Sequence, residues 1–532
     1  MMHDKMKGLG LLLLALMLVM AACAAPEAPA TGSESVAGEA ESMEEVSVEG
    51  GEFVFGLSTE PPNLDPQVGK GTAARTVKLQ VYRGLVSFYK GGEIIMDLAE
   101  SVEQPDDVTY VFTLRANANW HNGDPVTADD VKFSIERILD PEVGATTRTQ
   151  LSIIDSIEVI DEKTVQITLS QPSAAFLSQL AIAESAIVSK NWVEAGNDLD
   201  SDMMGSGPFK FVEREKGVRI VLEKNPDYYR EGFPKLDKLT FIPYRDENLR
   251  VTALKTGDVD LIEYVPWKDM VAIDADQNLT LETTVGPFMY LIFNPEREPF
   301  DNPLVRKAIG YAIDRQGVLD AAFVGRGSEL FGLPVPENSW LYNEELVNFW
   351  SFDPDKAKEM LAEAGYPDGF SAKLLSTATY DMHEQTAVVV ADSLSKIGIE
   401  VELVLPEWGA RVEQGNAADY DFAVMGSGAA IIDPDWLTAY YSIEGIQYGR
   451  VPNWQNDEVN SLLAEAASAQ DQDERIALYQ EFAQIALEEA PYVWLTWREQ
   501  GYAYQSGVSG FENIPFLTFN SGITMEEVSV GE

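Results

Sequence analysis

From Glu52 to about residue 520 the chain alternates strand-like and helical stretches without a single Gly/Ser-rich linker, which confines it to packed α/β layers. Strand-like runs recur as "EFVFGL", "YVFTLR", "VQITL", "VRIVLEKN", "LTFIPY", "MYLIFN", "IEVELVL" and "YDFAVMG". Helical runs lie between them. In "DPDKAKEMLAEAGY", Asp353 suits the N-cap, Pro354 the first helical position and Gly365 the position past the end. Ala357, Met360, Leu361 and Ala364 share one apolar face. In "TADDVKFSIERILDP", Thr127 suits the cap, and Asp129 and Asp130 favour the positive helix start. Val131, Ile135, Ile138 and Leu139 line one side, and Asp140-Pro141 ends the helix.

The chain of 532 residues exceeds the length of about 250–300 at which one core stops growing, so at least two lobes are expected. Without a loose linker they must be packed and joined by short hinge strands. Two segments rhyme, "LRVTALKTGDVDLIEYV" and "ARVEQGNAADYDFAVMG": each reads as helix, turn, Asp-x-Asp, then apolar strand. One copy in each half suggests lobes built on similar plans.

Lys and Arg number 38 and Asp and Glu 87, giving a formal net charge of −49. Nucleic acid would be repelled, and the acidity reads as a soluble, self-repelling surface. Of the three histidines only His121 and His383 lie beyond the leader, too few for a histidine metal site or triad. No G-x-S-x-G, Walker loop, G-x-G-x-x-G or H-E-x-x-H occurs. No catalytic residue, metal or cofactor is expected. Carboxylates are plentiful, so a two-carboxylate glycan hydrolase stays open as an alternative.

The N-terminus bears on location. Lys5 and Lys7 precede the apolar run Leu9–Met20, and small Ala21 and Ala22 precede Cys23, the order of a secretory signal peptide. The run is too short for a membrane span of about 20 residues. Cys23 resembles the lipid-accepting cysteine of a lipoprotein lipobox, although Met20 stands where leucine is usual. Residues 24–49, rich in Ala, Glu, Ser, Pro and Gly, have too little apolar content to order and read as a tether. Such a length reaches roughly 25–30 Å. No cysteine follows Cys23, so the folded part is expected to hold no disulfide.

The segments "TEPPNLDPQ", "VYRGLV", "YVFTLRANANWHNGDPVTADDVKFSIERILDP", "GSGPFKFVE", "NPDYY", "LKTGDVDLI", "FNPEREPFDNPLVRKAIGYAIDR", "FDPDKAKEMLAEAGY" and "APYVWLTW" occur in one order. In this they resemble the extracellular solute-binding proteins of family 5, the oligopeptide-, dipeptide- and nickel-binding proteins of ABC importers. The resemblance implies a type II periplasmic-binding-protein fold, α/β, with two hinged lobes and an inserted domain. It places domain I at 50–85, 203–286 and 496–532, the inserted domain II at 86–202, and domain III at 287–495. Hinge crossings would fall near Gly286–Asn294 and Pro491–Trp497. His121, Asp129 and Asp130 would then lie in the inserted domain in structural roles.

The resemblance also implies a ligand-binding set. It comprises Lys70 and Thr72 in the loop Gly69–Thr72, Tyr290 on the crossing strand and Trp408 in a strand–helix turn. Met425, Gly426, Ser427, Gly428, Ala429, Ala430 and Asp433 form the next segment, and Trp494 and Trp497 lie on the return strand. Peptide-binding relatives carry an aspartate for the ligand's α-amino group where this chain has Ala430. Unless Asp433 or Asp435 reaches in, an N-terminal amine loses its anchor, which shifts weight toward oligosaccharides, blocked peptides or other organic solutes. The implied function is capture of a small solute outside the cell and delivery to ABC permease subunits, by a monomer held on the membrane through Cys23. A solute receptor for signalling is the remaining alternative.

Overall fold

The computed structural model describes residues 50–69, 71–442, 448–513 and 525–531. The signal peptide with Met20 and Cys23, the tether 24–49, and Lys70 lie outside the described residues.

The fold is mixed α/β and centres on an 11-stranded sheet. Its strands run in the order Ile399–Val404, Phe370–Leu375, Phe422–Ser427, Leu279–Phe293, Tyr492–Gln505, Leu261–Glu263, Glu52–Leu57, Lys238–Pro243, Arg219–Lys224 and Phe209–Glu215. The short strand Gly327–Glu329 pairs with the side of Tyr492–Gln505. The two longest strands, Leu279–Phe293 and Tyr492–Gln505, pair antiparallel along most of their length. They belong to both halves of the sheet and cross from one to the other.

Outward from this crossing pair the halves repeat one plan. Phe422–Ser427 runs antiparallel to Leu279–Phe293, and Leu261–Glu263 antiparallel to Tyr492–Gln505. The next strands, Phe370–Leu375 and Glu52–Leu57, run parallel to these, and so do Ile399–Val404 and Lys238–Pro243 beyond them. The rhyming segments are the innermost units of the two halves. The first is the helix Glu247–Thr256, ended by Gly257 at φ 76°, then Leu261–Glu263. The second is the helix Trp408–Asn416, a turn with Ala418 at φ 50°, then Phe422–Ser427.

Their second aspartates do the same work. Asp260 Oδ2 accepts the Val54 N–H at 2.7 Å, and Asp421 Oδ2 accepts the Lys373 N–H at 2.8 Å. Each carboxylate thereby fixes the register of the neighbouring parallel strand.

A separate four-stranded antiparallel sheet runs Ala99–Asp106, Thr109–Leu114, Thr164–Leu169, Ile154–Asp161. The helix Ala128–Leu139 packs against it with Val131, Ile135 and Ile138 buried, as the apolar spacing predicts. Its start is a capping box in which Thr127 and Asp130 bond reciprocally. Asp130 also accepts from Trp120 Nε1 at 3.3 Å and from the Lys190 N–H at 2.9 Å, so it is a structural carboxylate. His121 is likewise structural: its Nε2 lies 3.0 Å from the Gly207 carbonyl, and its N–H donates to Gly205 O at 2.9 Å. Burial holds its imidazole down to a pKa of about 4.

The helix Pro354–Glu363 starts at Asp353, whose side chain accepts the Lys356 N–H, and Gly365 follows its end at φ 96°. Ala357 and Leu361 are buried and Met360 and Ala364 half-buried, so the spacing marks the packed face. Each strand-like run named from the sequence overlaps a strand, overhanging it by at most two residues at either end.

Asp260→Ala removes the acceptor of a half-buried strand N–H. The expected loss is about 1–3 kcal/mol of stability, read as a lower guanidinium midpoint at unchanged slope.

Candidate functional site at the strand crossing

In open α/β sheets, ligands settle outside the carboxyl ends of parallel strands. Here both halves aim those ends at one place. Ser427, the last residue of its strand, is level with Phe288. Glu263, the last of its strand, is level with Tyr502, which is level with Glu282. Between these two levels lie only Thr283–Pro287 on one crossing strand and Arg498–Gly501 on the other. Both carboxyl edges therefore converge on that short span.

The span is irregular. The register skips between Val285 and Phe288, so Gly286 and Pro287 together face Arg498. It skips again where Met289 pairs with Thr496 but Tyr290 with Trp494, which leaves Leu495 as an extra residue. Bulges of this kind re-aim side chains. Because of Leu495, Trp494 and Trp497 share a face, and Phe288 touches both, at ring distances of 5.2 and 5.7 Å. Thr496, Arg498 and Gln500 take the opposite face.

The first face is an aromatic core. Tyr290 and Trp494 are fully buried, with Trp494 stacked on Tyr492 at 5.4 Å and Tyr290 lying 5.2 Å from Trp494. Tyr290 Oη donates to the Gly449 carbonyl at 2.9 Å. Phe288, Trp436 and Tyr440 complete the packing.

The second face is polar, yet buried. Thr496 and Gln500 are inaccessible and Arg498 is 5% exposed. Thr496 Oγ1, Arg498 Nε and Gln500 Nε2 have no hydrogen-bond partner. Arg498 Nη1 donates to Gln500 Oε1 at 2.9 Å. Gly426 pairs with Met289 beside this face, and a Cβ there would meet Met289 Sδ at 3.0 Å and His383 Nε2 at 3.5 Å. His383 stands in the first turn of the helix Asp381–Ser395, just beyond the carboxyl end of Phe370–Leu375. Its Nδ1 is buried without a partner. Burial first, then the charges of Arg411 and Arg498, push its pKa down to about 3, so it is neutral.

Trp408 opens the next helix, past the end of Ile399–Val404. It is half-buried, and its N–H donates to Thr379 Oγ1 at 3.1 Å. Tyr380 meets it edge-on at 5.1 Å and Tyr448 at 6.1 Å. The Arg411 guanidinium lies 5.2 Å from both the Trp408 and Tyr448 rings. Arg411 is fully buried, and burial lowers its pKa to about 10.

The residues expected from the sequence are scattered over these settings. Trp408 and Gly426 stand at the carboxyl edge. Tyr290, Met425, Ala429 and Trp494 are 2% exposed or less and packed as core, and Trp497 lines the aromatic face. Ser427 and Gly428 are half-buried, and Ala430 is exposed. Thr72 opens the helix Thr72–Val81, half-buried. Asp433 is engaged elsewhere: both its oxygens bind Arg475, at 2.7 and 2.8 Å, and it caps Pro434–Leu437. Asp435 accepts from Thr438 at 3.0 Å and Gln179 at 3.4 Å. Asp433 is thus already paired with a cation, while Asp435 is held by two neutral donors. His383, Arg411, Thr496, Arg498 and Gln500 carry no such expectation: in "TWREQ" Thr496, Arg498 and Gln500 take alternate positions, but Glu499 between them is polar too and hides the pattern.

The family model described as "Bacterial extracellular solute-binding proteins, family 5 Middle" matches residues 93–448. This chain belongs to that family. It is a family of solute-binding, non-enzymatic proteins that serve ABC importers, with the type II periplasmic-binding fold. The glutathione-binding protein GsiB of Salmonella choleraesuis (strain SC-B67) is 29% identical over 481 residues, covering 88% of this chain and 93% of that one. The periplasmic binding protein AgaA from A. tumefaciens R10, solved with agropinic acid, is 44% identical with a TM-score of 0.83, covering 91% of this chain and 99% of that one. DppA from Helicobacter pylori, solved with the peptide STSA, is 29% identical with a TM-score of 0.79, covering 91% and 99%. Membership sets aside the glycan-hydrolase alternative.

His383 and His121 both titrate far below the ordinary histidine value. The unfolded chain therefore binds more protons than the native one as pH falls below about 6.5, and stability drops with it. His383→Gln and His121→Gln are expected to lose less stability than the parent between pH about 7 and about 4, read by urea denaturation at each pH.

Proposed function

We propose that the protein captures a peptide-like solute or oligosaccharide at the strand crossing and presents it to the permease subunits of its importer. The observation that carries this reading is the register that levels Ser427 with Phe288 and Glu263 with Tyr502, so both halves offer their carboxyl edges to one span. A solute lodged there touches elements of both halves and makes more bonds when they close. It thus shifts the population toward closure. Moving a 1:99 balance to 99:1 takes a preference of about 5.5 kcal/mol for the closed form. A few hydrogen bonds and one or two aromatic contacts are sufficient for that.

The proposed hinge is the irregular span itself, Gly286–Pro287 opposite Arg498 with the extra Leu495 beside it. Domain I comprises 50–85, 203–286 and 496–532; the inserted domain comprises 86–202, and domain III 287–495. The protein acts as a monomer outside the cytoplasm, and the lipid on Cys23 keeps it beside the permease through the tether 24–49. Relatives named for glutathione, agropinic acid and the peptide STSA support a small polar organic solute.

A library of such solutes is screened by small-angle scattering and Trp fluorescence. A binding solute narrows the molecule; if every binder leaves its dimensions unchanged, capture by closure is wrong. Trp408→Ala is expected to weaken binding by about 1 kcal/mol or more, roughly fivefold, and an unchanged affinity removes Trp408 from the site. Cys23→Ser is expected to release the protein from the membrane fraction, with loss of incorporated fatty acid as the direct readout.

A further inference from the structure

The polar atoms left unpartnered on the buried polar face of the crossing include several that can only donate. Arg498 Nε, Gln500 Nε2 and Thr496 Oγ1 lie on one face of the strand, and His383 Nδ1 stands beside them. Arg411 Nε and Nη1 are also buried without hydrogen-bond partners. An arginine N–H donates only, as does an amide NH₂. Buried polar atoms without partners are rare and need an explanation, and several close together point to something that supplies acceptors.

Charge says the same. The protein as a whole carries −49, yet among the described residues neither Arg411 nor Arg498 has a carboxylate partner. Both charges bear on His383, which stays neutral. Glu329, level with Thr496 on the adjoining strand, is exposed and makes no ion pair with Arg498; the two other carboxylates nearest this face are already engaged. Glu263, level with Tyr502, takes the Ser58 N–H at 2.9 Å and its hydroxyl at 2.6 Å. Glu282 takes the Asn513 N–H at 2.6 Å. Nor does the segment after Ser427 help, since Asp433 is held by Arg475 and Ala430 has no charge.

We infer that the captured solute is an organic acid whose carboxylate lies against Arg498, with Gln500, Thr496 and His383 completing the cradle. This rests on the crossing being the solute site, as proposed above. Arg498 is then the residue that sets specificity. Its Nη1 is already steered by Gln500, which leaves Nε aimed as a fixed donor. The solute's carboxylate takes the place that a protein carboxylate fills in an ordinary buried ion pair. Before capture the site holds a buried cation without its counter-charge, so Arg498 destabilises the free protein.

The test uses the mature protein freed of solute, with acetate as the probe and acetamide, of the same shape without the charge, as control. Arginine Nε resonances are followed by ¹⁵N NMR, with Arg498 assigned from Arg498→Lys. Acetate is expected to shift the Arg498 resonance and raise the melting temperature, while acetamide does neither. Arg498→Gln is expected to melt higher than the parent without solute, to lose the acetate response, and to bind acids found in the solute library roughly ten- to a hundredfold more weakly. Arg498→Lys, which keeps the charge but not the fork, falls between. Equal responses to acetate and acetamide, or none to either, overturn the assignment of a carboxylate. So does an Arg498→Gln protein that melts lower or fails to fold, since the arginine would then be structural. The scattering screen judges capture separately: library solutes that close the molecule but are all neutral refute only the acid.

Discussion

The antiparallel pairing of Leu279–Phe293 with Tyr492–Gln505 is the constraint on which the rest depends. It is the only continuous hydrogen-bonded seam that reaches into both halves of the large sheet among the described residues. Everything that gives the site its shape is measured along it. The level of Ser427 on one side and of Glu263 on the other fixes how much strand is left between the two carboxyl edges. The two register skips fix which way the side chains in that interval point.

The two faces of the seam differ in balance, although the aromatic one also holds buried polar atoms without partners, Trp494 Nε1 and Tyr440 Oη. On the aromatic face Phe288, Tyr290, Tyr492 and Trp494 bury large rings, each removing about 150–250 Å² from water, and their edge and stacked contacts add to that. On the other face, Arg498, Gln500 and Thr496 are withdrawn from water with bonds unmade, which costs about 1–3 kcal/mol per orphaned group. The first face supplies the rigidity that lets the second stay unsatisfied. Local violations of packing rules concentrate where a protein works.

Much of this was legible in the chain. The period-2 runs, the caps at Thr127 and Asp353, and the rhyming Asp-x-Asp units located the elements and foreshadowed the matched halves, because each rests on local chemistry that needs no partner. Strands without that signature were silent: Ala99–Asp106 is an exposed edge strand, acidic and interrupted by Pro105, so no apolar alternation marks it. The site is less legible, for a physical reason. The resemblance puts Trp494 and Tyr290 against the ligand; the extra residue Leu495 sets Trp494 among the core rings, and an insertion in a pairing register cannot be seen without the partner strand. Arg498 and Gln500 stand in a run with Glu499 that marks no face, and the unpartnered state of Arg498 Nε and Gln500 Nε2 shows only in three dimensions.

The separation of faces bears on how such a binder could change its diet. Substitutions at Arg498, Gln500 or Thr496 touch groups with few bonds to lose, while the rings behind them go undisturbed. If the crossing is the solute site proposed above, its chemical taste is detachable from the frame around it. A lineage could move from one nutrient to another by editing a handful of letters in "TWREQ", with little loss of sturdiness along the way.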